Sequence, residues 1–114
     1  MNPRRGDIVD VLFPFSDLNR LKLRPALIVQ SDALLANPDV IVACITSNLA
    51  RVRGVARVLV KLSDVGASAC NLKDDSVVML DKLATVDRRA VGSVRGSFHR
   101  MDLIEAALRA ALAL

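Results

Sequence analysis

Apolar and polar residues alternate along the first three quarters of the chain and follow a helical period at its end. Asp7 to Phe13 alternates, with Val9, Val11 and Phe13 on one face and Asp10 on the other. Pro14 then ends the strand or holds it at an edge. Ala26 to Gln30 is a short apolar run after Pro25, which leaves Arg20, Lys22 and Arg24 in a polar connection between two strands. Val40 to Ile45 is wholly apolar and of strand length. From Val55 to Leu62 the alternation puts Val58, Val60 and Leu62 inward and Arg57, Leu59 and Lys61 outward. Ser76 to Leu80 continues the pattern, and Leu83 to Val86 adds a short piece. Several short strands with polar connections predict a small barrel or sandwich rather than βαβ units. At the end, Met101, Ile104, Leu108 and Leu112 recur at helical spacing. This predicts a helix from about His99 to Leu112, with Ser97 as its N-cap. Leu103, Ala107 and Ala110 widen its apolar stripe, which must pack on the barrel, on a partner subunit, or on both. A shorter helical turn is expected after Asp87, with Gly92 as its stop.

Composition narrows the classes. A chain of 114 residues fits one domain, 1–114, and 53% apolar residues exclude a disordered chain. The longest aliphatic run, Val40 to Ile45, falls far short of the ~20 residues that cross a bilayer. The start carries Arg4 and Arg5 but no apolar stretch before Asp7, so it does not read as a secretory signal, and a cytoplasmic setting is expected. Cys44 and Cys70 make neither a disulfide framework nor a zinc set, and Cys44 reads as a small buried hydrophobe.

Candidate chemistry emerges by elimination. His99 is the one histidine, which excludes a two-histidine acid–base pair. The five glycines are scattered, so no phosphate-cradling loop exists. Asp7 and Asp10 face opposite sides of a strand, and Asp74 and Asp75 look like a solvated turn; no metal site and no cofactor are expected. What remains is basic: the 16 basic against 12 acidic residues leave a net charge of +4, and arginine supplies 12 of the 16. A guanidinium stays protonated and presents a planar fork suited to phosphate oxygens. Arg20, Lys22 and Arg24 form one basic group; Arg51, Arg53, Arg57 and Lys61 form another, equally readable as solubilising surface charge. With Phe13, Phe15 and Phe98 the only aromatics, a nucleic-acid site has few stacking platforms.

The neighbours of the first group carry a resemblance. Gly6-Asp7-Ile8-Val9, Phe13-Pro14-Phe15-Ser16-Asp17 and Arg24-Pro25-Ala26-Leu27-Ile28-Val29 look like the opening of the MazF/PemK family of toxin endoribonucleases. Ile45-Thr46-Ser47 resembles the family's second motif, and the stretch from Ser76 through Asp81 and Lys82 to Asp87 its third. The match covers most of the chain in the right order. It implies a mainly β fold, an SH3-like small β-barrel with a C-terminal α-helix, assembled as a homodimer. It also implies metal-independent cleavage of single-stranded RNA and control by a cognate antitoxin with an acidic tail.

Carried over by residue, Arg24 matches the family's catalytic arginine and Thr46 its catalytic threonine. Ser47 and Asn48, beside Thr46, join the expected RNA-binding set. Asp81 and Lys82 match an acidic-residue–glutamine pair that contacts RNA, with Lys82 in place of the commoner Gln. Phe15, Ser16 and Asp17 match the loop that grips the substrate, and Arg20 and Lys22 lie beside it. Ala84 stands where Arg is frequent. Asp17 and Asp81 are the candidates for the general base. Two other readings compete: a non-enzymatic, CcdB-like inhibitor of DNA gyrase, which the Arg-Pro and Ile-Thr-Ser motifs disfavour, and a catalytically silent RNA-binding module.

Overall fold

The computed structural model describes residues 3–14 and 21–114. Six antiparallel strands form one sheet: β1 (Asp7–Pro14), β2 (Leu21–Ile28), β3 (Asp39–Thr46), β4 (Arg57–Val60), β5 (Ser76–Asp87) and β6 (Val91–Ser97), followed by helix α1 (Met101–Leu112). The strand order is β4-β5-β3-β2-β1-β6, so among the described residues β4 and β6 are edges and the sheet does not close into a complete barrel. The mainly β architecture with a C-terminal helix is as the sequence implies.

Alternation builds two cores, one on each face. Ile8, Leu27, Ala43, Ile45, Val58, Val60, Val78 and Leu80 point to one face, where Ile104 and Ala107 of α1 cover them. Val9, Val11, Ala26, Ile28, Val40 and Val42 point to the other, under Ala84, Val86 and Val91. Burial of aliphatic surface on both faces stabilises the sheet.

Several expectations need correction. Lys22 and Arg24 do not lie in a connection: β2 begins at Leu21, and Lys22 pairs with Phe13 and Arg24 with Val11. The partner strand supplies the hydrogen bonds that local sequence does not advertise. Pro14 does end β1, as its residue type implies, at a point where only β2 flanks the strand. Val55 to Leu62 yields only Arg57–Val60 as strand, and Leu62 is exposed rather than inward. The two pieces Ser76 to Leu80 and Leu83 to Val86 are one twelve-residue strand interrupted by a bulge. Cys44 is half-buried, not core.

The helical turn after Asp87 exists as Arg88–Ala90, but Gly92 lies within β6, a strand the sequence pattern did not predict. Gly96 shows why glycine stands there. A Cβ would sit 2.3 Å from the Ala69 carbonyl oxygen and 2.6 Å from the Cys70 carbonyl, so β6 reaches its place only without a side chain. Helix α1 begins at Met101, and Ser97 closes β6 instead of capping the helix. Asp102 in the first turn and Arg109 in the last complement the helix dipole instead.

Candidate nucleic-acid interface

Register-paired residues project to the same side of a sheet. One complete row therefore crosses all six strands: Arg57, Met79, Cys44, Ala26, Val9 and Val94. The next row holds Leu59, Val77 and Thr46 on β4, β5 and β3, and Arg24, Val11 and Val91 on β2, β1 and β6. Ala26 and Cys44 are the last paired residues of β2 and β3 at this end. Arg24 and Thr46 stand two positions beyond them, on the same face at the same end of adjacent strands. The β2–β3 pairing thus sets two residues 22 apart in sequence at the same end of adjacent strands.

Local turn chemistry sets the Thr46 hydroxyl. Its Oγ1 accepts from the Asn48 amide at 3.1 Å, and Asn48 Oδ1 accepts from the Ala50 amide at 3.1 Å. A hydroxyl has one proton and two lone pairs, so the O–H of Thr46 is left to donate. Ser47 and Asn48 are exposed where the chain leaves β3, at the start of the turn Leu49–Arg51. Lys22 and Arg24 are exposed on β2 with like parity, hence on one face.

Asp81 and Lys82 sit in the β5 bulge. Between the pairs Cys44–Met79 and Ala43–Leu83, β5 spends Leu80, Asp81 and Lys82 against a single step of β3. Bulges re-aim side chains out of the regular pleat. Both residues are exposed. Asp81 accepts a two-pronged bond from Arg57, Nε to Oδ1 at 2.6 Å and Nη2 to Oδ2 at 3.2 Å. The Arg57 hydrogen bond holds the Asp81 carboxyl below its usual range, against a small opposing effect of burial. Asp81 is therefore a firmly ionised acceptor and a poor general base. Burial pushes the Cys44 thiol up, and the nearby Lys82 ammonium pulls it partly back, so Cys44 stays a thiol near neutrality.

Phe15, Ser16, Asp17 and Arg20 lie outside the described residues. Asp10, set aside above as a metal ligand, is paired with Arg95 at 3.1 Å. Among the described residues, no three His, Cys, Asp or Glu side chains stand together as a metal set. In the sequence Arg57 reads as one of a basic group, open equally to a phosphate-binding role and to surface charge; its partner lies 24 residues away, and no local motif signals such a pairing.

The family model for the PemK-like, MazF-like toxin of type II toxin–antitoxin systems matches residues 4–114. The chain belongs to this family. No curated protein sequence matches it. A mycobacterial endoribonuclease in complex with its cognate antitoxin superposes with a TM-score of 0.78 at 24% identity, over 98% of this chain and 96% of that one. A second mycobacterial endoribonuclease is 26% identical, with a TM-score of 0.75 over 100% and 94% of the two chains. The Mycobacterium tuberculosis toxin MazF-mt6 is 24% identical, with a TM-score of 0.74 over 95% and 97%. In this MazF-like toxin, Arg24 and Thr46 share one face of the sheet. No helix of the described residues is long and apolar enough to cross a membrane.

Proposed function

We propose that this MazF-like chain is one toxin domain over 1–114 that cuts single-stranded RNA without a metal, in the cytoplasm. The observation that carries the reading is the placement of Arg24 and Thr46 on one face at the same end of β2 and β3. Metal-free cleavage uses the ribose 2′-hydroxyl as nucleophile. It attacks the adjacent phosphorus, the 5′-oxygen leaves, and negative charge builds on the phosphoryl oxygens. A guanidinium and an oriented hydroxyl aimed at those oxygens stabilise that charge. Arg24 supplies the first and Thr46 the second. The ionised Asp81 suits acceptance of hydrogen bonds from base edges, and Lys82 suits a phosphate or base contact. With Asp81 held by Arg57, Asp17 is the better candidate for general base. Cleavage of a long unstructured RNA in EDTA tests this. Trapped DNA–gyrase complexes without RNA cleavage would favour the gyrase reading, and binding without cleavage the silent module.

A homodimer would extend the RNA surface beyond what one small sheet offers. Apolar surface to support it lies in an open groove of about 500 Å³ between β4 and α1, lined by Val55, Leu59, Leu103 and Ala110. Control would come from a cognate antitoxin whose acidic tail mimics RNA along the basic face. Each neutralised phosphate releases about one counterion, so RNA affinity should fall steeply with salt. Antitoxin binding should share part of that slope and keep an apolar component that survives it. Reversing Arg20 and Lys22 to Glu should weaken both ligands, as read by titration with RNA and with antitoxin peptide. Loss of RNA binding with full antitoxin binding would place the antitoxin on another surface.

A further inference from the structure

The first residue of the edge strand β4 holds two parts of the candidate site together. Arg57 is register-paired with Met79, and Asp81 follows two residues on along β5. The Arg57 side chain, 19% exposed, lies along this edge and spends three nitrogens on two segments. Nε and Nη2 bind the Asp81 carboxylate, while Nη1 donates to the Arg51 carbonyl at 2.7 Å. Arg51 belongs to the same turn as Asn48, its amide donating to the Asn48 carbonyl at 3.1 Å. Asn48 in turn donates to the Thr46 hydroxyl. A continuous bonded chain therefore runs from Thr46 through Asn48, Arg51 and Arg57 to Asp81. β3 offers Asp81 and Lys82 no register partner. The Leu80 amide ties the start of the bulge to the Ala56 carbonyl at 2.8 Å, and the Arg57 fork ties Asp81 itself.

We propose that Arg57 is a positioning residue for RNA cleavage: its fork locks the bulge that carries Asp81 and Lys82 to the turn that orients Thr46. This rests on the endoribonuclease reading above. Arg57 then acts through Asp81 and not by touching RNA. A planar fork is needed to reach both carboxylate oxygens and the carbonyl at once, which a lysine ammonium cannot do. A phosphate contact, by contrast, tolerates lysine.

The test uses the full chain with Arg57→Gln, Arg57→Lys, Asp81→Asn and the Arg57→Gln, Asp81→Asn double variant. Each is assayed on a random-sequence pool of single-stranded RNA and on one oligonucleotide that the wild type cuts. Arg57→Gln should lower kcat/KM roughly 10- to 100-fold, the scale of a misplaced group that is not itself reacting. It should relax base preference at the same position as Asp81→Asn. Arg57→Lys should relax it equally, and the double variant should relax it no further than Asp81→Asn alone. Amide exchange at Ala50, Arg51, Val52 and Leu80 should quicken about tenfold in Arg57→Gln, with β1 unchanged. Unchanged exchange at those amides overturns the latch, whatever the RNA results. So does a Lys variant that keeps wild-type preference, or a double variant that relaxes a second position, because Arg57 would then contact RNA directly. A wild type that leaves the RNA intact overturns the endoribonuclease reading and Arg57's role in it. A wild type that cuts while Arg57→Gln keeps its rate and preference overturns only the role of Arg57.

Discussion

Arg24→Ala is expected to retain the fold and lose roughly 10²–10³ in the rate of RNA cleavage, the usual loss for one oxyanion donor. The side chain is exposed on β2, and the strand is held by backbone pairing across Val11, so the fold should be kept. Thr46→Ala should lose rate on a similar scale, since it removes the hydroxyl that Asn48 orients. The two conservative variants separate chemistry from shape. Thr46→Ser keeps a hydroxyl and should recover most of the rate. Arg24→Lys keeps the charge but not the fork, and should recover only part. Single-turnover cleavage of one labelled oligonucleotide reads all four. Full activity in Arg24→Ala would remove that residue from the reaction.

Ile104→Ala is expected to be the most destabilising simple substitution in α1. Ile104 is fully buried among Leu80, Val58 and Phe98, and it anchors the helix to the sheet. Such a truncation loses about 2–5 kcal/mol from transfer and cavity terms. A domain of this kind has only about 5–15 kcal/mol in total, so the urea midpoint should fall clearly. Leu112→Ala, at an exposed position 53% accessible, should change stability by no more than about 0.5 kcal/mol. Equal effects of the two would mean that α1 is not docked through Ile104.

The elements legible in sequence are those whose signal is local. β1 and β3 announce themselves by alternation or by an unbroken aliphatic run, and α1 by its 3.6-residue period. The start of β2 does not, because Lys22, Arg24 and Pro25 have the look of a connection. Only pairing with β1 makes them a strand. β6 was hidden by Gly92, Ser93 and Gly96, residues poor in strand propensity. Gly96 is there for close approach to Ala69 and Cys70, a tertiary demand invisible in one dimension. β5 reads as two pieces because its bulge puts Asp81 and Lys82 where apolar residues would continue the pattern. For the candidate site, Arg24 and Thr46 could be named from motifs, while their common face is a product of register. Arg57 could not be named, since its meaning depends on a carboxylate across the edge of the sheet.

RNA cleavage by Arg24 and Thr46 without a metal is the proposal that can be tested most simply. The most direct measurement is incubation of the wild type with a long unstructured RNA in excess EDTA, followed by analysis of the new ends. Internal cuts bearing a 2′,3′-cyclic phosphate and a 5′-hydroxyl, undiminished by the chelator, are the expected result. RNA left intact, or cleavage that appears only when a divalent cation is restored, would contradict it.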